Sequence, residues 1–256
     1  MSQSRKQPWP YPEVVAHRGG GALAPENTLA GFREGARYGY RAAECDVKLS
    51  ADSVCFLLHD DTLERTSNGQ GPARAWTMAE LAQLDAGGWK GAAFAGEPLP
   101  TLANVAAWCR AQGVSLNIEI KPCPGREEET GRRVAEEAAR LWAGAQTPPL
   151  LSSFDAAALR AARDAAPDLP RAFLCEAIPA DWRETLEALD CVALHCDHAT
   201  LTEAQAGEIK AAGYQLLCYT VNDLARAKTL RGWGVDSVCT DRIDQLAAQR
   251  PLAAQP

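Results

Sequence analysis

The sequence predicts an α/β protein built as a (β/α)₈ TIM barrel, and three observations carry that prediction. Eight strand-like runs alternate with amphipathic helical patterns along nearly the whole chain. The length, 256 residues, is what one such barrel needs. No Gly-x-Gly-x-x-Gly turn opens a first helix, which weighs against the rival, a doubly wound open sheet. The expectation is a single domain over residues 1–256, with a small insertion after the second strand at about 50–100.

After the proline-rich lead-in "MSQSRKQPWPYPE", strands are expected at 14–18 (VVAHR), 43–49 (AECDVKL), 115–121 (SLNIEIK) and 149–154 (PLLSSF). Four more follow at 171–176 (RAFLCE), 191–196 (CVALHC), 214–221 (YQLLCYTV) and 236–241 (DSVCTD). The first helix is expected over 28–38, where Leu29, Phe32 and Ala36 share a stripe and Asn27 offers an N-cap. Further helices are expected at 101–112, 127–142, 155–166, 181–189, 202–212, 223–232 and 243–249. Pro167, Pro170, Gly213 and Gly234 punctuate their ends. Residues 50–100 are too long for a helix and loop, so we expect a short hairpin strand at 54–58 and then the insertion.

Composition excludes several classes. A formal charge of −7 and a pI near 5.2 argue against nucleic acid or an anionic membrane as partner. The nine cysteines are scattered, with no Cys-x-x-Cys pair. Cys45, Cys175, Cys191, Cys218 and Cys239 lie inside apolar runs, as small core residues do, which favours a reducing compartment. The N-terminus has no apolar signal-peptide core, and no run is long enough to span a bilayer. The expectation is a soluble cytoplasmic protein without stable membrane association. Whether it forms a homo-oligomer is left open.

The chemistry is expected at the C-terminal ends of the strands, where barrel active sites lie. The second strand alternates, but its pattern is inverted. Glu44, Asp46 and Lys48 share one face, while Ala43, Cys45, Val47 and Leu49 share the other. In "NIEIK", Asn117, Glu119 and Lys121 share a face in the same way. Any one of these acids alone reads as a surface charge or an ion pair. Three carboxylates aimed at one mouth would repel unless a cation sat among them, and oxygen-only ligands suit Mg²⁺ or Ca²⁺.

His17 and Arg18 close the first strand and His59 follows the hairpin strand, so two imidazoles are available for proton transfer. Arg18 and Lys121 can hold phosphoryl oxygens. Lys121 as a Schiff-base lysine is the rival enzymatic reading. The glycines after Arg18 allow close backbone approach but make no P-loop. Phe154 and Tyr219 suit the wall of a pocket, or equally core packing. His195 and His198 suit a pocket or structural role, and Asp241 a loop or helix cap.

Together "VAHRGG…APENT", "ECDVKLS", "LLHDDTLERTSNG", "EPLPTL", "NIEIKP", "LLSSF" and "YTVN…GVDSVCTD" resemble the glycerophosphodiester phosphodiesterases, in order and across almost the whole chain. The similarity is greatest to the cytosolic bacterial branch. This resemblance implies a (β/α)₈ barrel with an insertion after the second strand. It also implies hydrolysis of glycerophosphodiesters (glycerophosphocholine, -ethanolamine, -glycerol) to sn-glycerol 3-phosphate and an alcohol. It assigns the acid/base pair to His17 and His59, the ligands of one divalent metal ion to Glu44, Asp46 and Glu119, and phosphate contacts to Arg18 and Lys121. Many relatives carry Trp where this chain has Tyr219. Which histidine is the acid, and whether water or the glycerol 2-hydroxyl attacks, stays open. A lysophospholipid or phosphoinositide diesterase and a non-catalytic binding barrel are the competing readings.

Overall fold

The structure is a computed structural model that describes residues 9–246. Eight parallel strands close on themselves. The first, β1 (Val14–Ala16), pairs on one side with β2 (Ala42–Leu49), and after the antiparallel β3 (Cys55–Leu57) the circuit continues through β4 (Ser115–Ile120). It then runs through β5 (Leu150–Ser153), β6 (Arg171–Cys175), β7 (Ala193–Asp197) and β8 (Gln215–Tyr219) to β9 (Ser237–Thr240), which pairs back onto β1. Closure leaves no bare edge in the barrel, because β3 only extends β2 outward.

Helices fill most of the connections: α1 (Leu29–Arg37), then α2 (Met78–Leu81) and α3 (Leu102–Gln112) around the insertion, then α4 (Glu127–Leu141), α5 (Ala156–Ala165), α6 (Trp182–Leu189), α7 (Glu203–Ala211) and α8 (Leu224–Gly232). The cap of α1 is Thr28, whose side chain accepts from the Gly31 N–H, and not Asn27 as its residue type suggested. Asn27 sits one residue earlier at φ +57° and spends its amide elsewhere. The helix expected at 243–249 is a run of turns over residues 243–246, and its remainder lies outside the described residues.

The pleat sorts the inverted strand. Cys45, Val47 and Leu49 enter the continuous core between barrel and helices, together with Leu102, Val105, Val134 and Leu159. Glu44, Asp46 and Lys48 are left facing the barrel interior, and all three are buried. A solvated edge is thereby excluded for this strand. The register places Asp46 beside Glu119 and Glu44 beside Asn117, so one acid from each of two neighbouring strands shares a level.

The opposite end of the barrel is shut. Trp9 and Tyr11 of the lead-in pack edge to face at 4.8 Å against Leu150, Ala172 and Ala193, at the N-terminal ends of β5 to β7. Trp9 Nε1 donates to Ser237 Oγ at 2.9 Å. Among the described residues the C-terminal mouth is the open end. The insertion stands beside that mouth on a small core of its own, formed by Phe56, Leu58, Leu63, Leu81 and Leu99. The Glu97 carboxylate ties it to the first turn of α1 by accepting from the Ala30 N–H at 2.8 Å.

Candidate active site

The mouth opens into a cavity of about 440 Å³ whose lining includes His17, Glu44, His59, Glu119, Lys121 and Phe154. One oxygen each from Glu44, Asp46 and Glu119 lies within 4.8 Å of the others. These carboxylates are unequally compensated. Burial alone would raise Asp46. The charges of Arg18, Lys121 and His59, with a 2.8 Å bond from Asn27 Nδ2, instead hold it below the usual carboxylate range. Asn27 also accepts from the Asp46 backbone N–H at 3.0 Å, which is where the amide missing from the α1 cap is used.

Glu44 is the opposite case. Burial and the Asp46 charge push its carboxyl up to about 8. Its Oε2 accepts from the Arg18 backbone N–H at 3.0 Å, while its buried Oε1 has no partner among the described residues. Glu119 is also raised by burial and Asp46, despite the 2.9 Å contact from Lys121 Nζ. A buried carboxylate oxygen without a donor is costly. A hard divalent ion amid these oxygens would supply the missing charge, so the donor set fits Mg²⁺ or Ca²⁺.

Both histidines are anchored by a carboxylate at Nδ1. His17 meets Asp241 Oδ1 at 2.7 Å, and His59 meets Asp60 Oδ1 at 2.7 Å. A carboxylate can only accept, so each Nδ1 carries the proton and each Nε2 is the nitrogen left for proton transfer. His17 Nε2 lies 3.9 Å from Glu44 Oε2. Burial would pull His17 down, but the Asp241 bond and the Glu44 charge outweigh it and raise its pKa. Burial, with help from Arg18 and Lys121, lowers that of His59. Two similar side chains are thus pushed in opposite directions.

The loops after β1 and β3 are laced by ion pairs. Arg18 Nη1 donates to Glu26 Oε1 at 2.8 Å. Arg65 forks onto both Glu26 oxygens at 2.8 Å and onto Asp60 Oδ2 at 2.6 Å. His59, Asp60, Arg65, Glu26 and Arg18 therefore form one chain. Arg18 Nε also stands 3.4 Å from Asp46 Oδ2. Lys121, which burial would deprotonate, is held as an ammonium by Asp46 and Glu119. That charge state removes the support for a nucleophilic Schiff-base lysine.

Phe154 and Tyr219 meet edge to face at 6.0 Å on the rim, with Lys121 Nζ 5.9 Å from the Phe154 centroid. Tyr219 OH donates to the Cys175 carbonyl at 2.8 Å. His195 lines the same cavity. His198 is not part of that lining, and its Nδ1 accepts from Arg226 Nε at 3.4 Å. Asp60, Glu26 and Arg65 were missed by sequence reasoning, and Asp241 was read as a cap. The doubled acid of "LLHDD" and the acid closing "VCTD" show where Asp60 and Asp241 stand but not which side chain each one meets.

The glycine run after Arg18 serves packing. A Cβ at Gly21, where φ is +53°, would lie 2.3 Å from the Asp241 carbonyl oxygen. Gly21→Ala is therefore expected to displace the loop that holds His17, destabilising the fold by at least about 1 kcal/mol and lowering activity. Thermal denaturation and turnover measured together check this. An unchanged Tm would contradict the close approach.

The model of the glycerophosphoryl diester phosphodiesterase family matches residues 17–245. The chain belongs to that family. It is 31% identical over 238 residues to the glycerophosphodiester phosphodiesterase of Caldanaerobacter subterraneus subsp. tengcongensis, covering 91% of this chain and 95% of the relative. Among solved structures, an Oleispira antarctica phosphodiesterase in complex with the product sn-glycerol-3-phosphate superposes with a TM-score of 0.87. The two are 40% identical over 93% of this chain and 96% of that one. A glycerophosphodiester phosphodiesterase from Agrobacterium tumefaciens gives a TM-score of 0.77 at 28% identity, over 93% and 99% of the two chains. The family's activity makes this chain a hydrolase with glycerophosphodiester phosphodiesterase activity. Among the described residues no helix is long and apolar enough to cross a membrane.

Proposed function

We propose that the protein hydrolyses glycerophosphodiesters to sn-glycerol 3-phosphate and an alcohol, with one divalent metal ion held by Glu44, Asp46 and Glu119 and with His17 and His59 transferring protons. The observation that carries this reading is the triangle of acids flanked by two carboxylate-anchored imidazoles in one cavity. A divalent ion there supplies Lewis-acid stabilisation of charge on the phosphoryl oxygens. Arg18 and Lys121 add fixed positive charge where the phosphoryl group would sit. Neutral His59 accepts the proton of the attacking hydroxyl, from water or from the glycerol 2-hydroxyl. His17, whose Nδ1 is held by Asp241, gives its proton to the departing alkoxide. Phe154 and Tyr219 at the rim flank the alcohol half of the substrate.

The nine cysteines are all free and buried, which supports a cytoplasmic setting. The net charge of −7 supports a small-molecule substrate over nucleic acid or a membrane surface. The test is release of sn-glycerol 3-phosphate from glycerophosphocholine, -ethanolamine and -glycerol by the full chain with Mg²⁺ or Ca²⁺ present. Release from at least one of them is expected. A folded, metal-supplied protein that releases none would sink the proposal in favour of a binding barrel.

A further inference from the structure

His195 is a polar side chain that the machinery above does not use. It sits on the interior face of β7, fully buried at 0% exposure, and both ring nitrogens lack a hydrogen-bond partner among the described residues. In register it lies between Leu174 on β6 and Leu217 on β8, and all three line the catalytic cavity. A third leucine would complete that apolar belt without leaving polar atoms unmet. Burying an unpaired imidazole instead costs the full desolvation of its donor and acceptor. Two polar side chains of this cavity bond elsewhere. Tyr219 OH reaches across β7 to the Cys175 carbonyl, and Asn117 Oδ1 accepts from Ser152 Oγ at 3.0 Å. Burial pulls the imidazole down to about 3, so it is neutral and offers one N–H and one lone pair.

What would satisfy such a group is a neutral hydroxyl. The phosphoryl charge is better met by Arg18 and Lys121, across the cavity on the β1 and β4 side. The variable alcohol half has the open rim beside Phe154 and Glu176. The half that every glycerophosphodiester shares is glycerol, and the enclosed apolar side suits its carbons. Resting on the function proposed above, we propose that His195 hydrogen-bonds a hydroxyl of the glycerol half of substrate and product. It is a specificity residue that lets the site tell glycerol phosphodiesters from phosphodiesters lacking that hydroxyl.

The experiment compares wild type with His195→Leu, both loaded with metal, in calorimetric titrations of sn-glycerol 3-phosphate and, separately, of inorganic phosphate. The variant is expected to bind sn-glycerol 3-phosphate about tenfold more weakly, one lost hydrogen bond, and inorganic phosphate within about twofold of wild type. Its Tm should equal or exceed that of wild type, because leucine continues the Leu174 and Leu217 belt. Unchanged affinity for sn-glycerol 3-phosphate would overturn the inference, since the partner would then be a structural water. Equal loss for both ligands together with a lower Tm would also overturn it and leave His195 a purely structural residue. A wild-type protein that hydrolyses glycerophosphocholine while the variant behaves identically defeats only this inference. One that neither binds nor hydrolyses defeats the underlying function as well.

Discussion

His59→Ala is expected to lower kcat by about 10²–10⁴-fold, the range for losing a general acid or base. Folding should be nearly untouched. The imidazole is 30% exposed, and among the described residues its hydrogen bond is to its neighbour Asp60. The pH dependence gives an independent readout. In the proposed role His59 works when neutral, and its pKa is lowered, so kcat/KM should fall on the acid side as pH drops through a midpoint below about 6.5. In the proposed role His17 works when protonated, and the Asp241 bond favours its charged form, so the alkaline limb should begin above that value. The wild-type profile should be a bell, and the variant should lose its acid limb. Steady-state rates from pH 5 to 9, with Tm as the folding control, decide it. Near-normal turnover in the variant, or an acid limb that persists, would remove His59 from the reaction.

Chelation is expected to abolish activity, and Mg²⁺ or Ca²⁺ to restore it. The reason is electrostatic. Glu44, Asp46 and Glu119 share a space under 5 Å across, and without a cation they cannot all ionise together. Glu44 is pushed up to about 8, so at pH 7 the metal-free protein holds a proton there that binding must expel. Titrating metal into chelated protein in buffers of different ionisation enthalpy should therefore show release of about one proton at pH 7, and less as pH rises past 8. At a metal concentration a hundredfold above Kd, stability should rise by about 2.7 kcal/mol, visible as a higher Tm. Glu119→Gln should weaken metal affinity and be partly rescued by high metal concentration. Full activity after complete chelation would overturn the assignment of these acids.

Much of this site was legible from local pattern. Period-two alternation put Glu44 with Asp46 and Asn117 with Glu119 on interior faces, because the pleat leaves no other choice once Cys45, Val47 and Leu49 are buried. The roles of Asp241, Asp60, Glu26 and Arg65 were not legible. Each acts through another side chain, and nothing in the local sequence says which one. Asn27 shows the limit clearly. Its residue type is right for an N-cap, yet Thr28 takes the cap, because Asn27 in a left-handed conformation aims both amide atoms at Asp46. The amphipathic pattern over 243–249 predicts a helix, and its described part, residues 243–246, turns instead.

By itself the sequence determined the order of strands and helices, the barrel class, and which strand ends carry acids, imidazoles and cations. Those are properties of short windows, set by side-chain period and by where polar residues interrupt apolar runs. Only the tertiary structure decided which charges meet. Pairing β9 with β1 sets Asp241 against His17 across 224 positions of chain, and the insertion carries Arg65 onto Glu26 across 39. Hydrogen bonds and Coulomb forces act over a few ångströms. Whether a buried group such as His195 or Glu44 is satisfied therefore depends on what the closed barrel places around it.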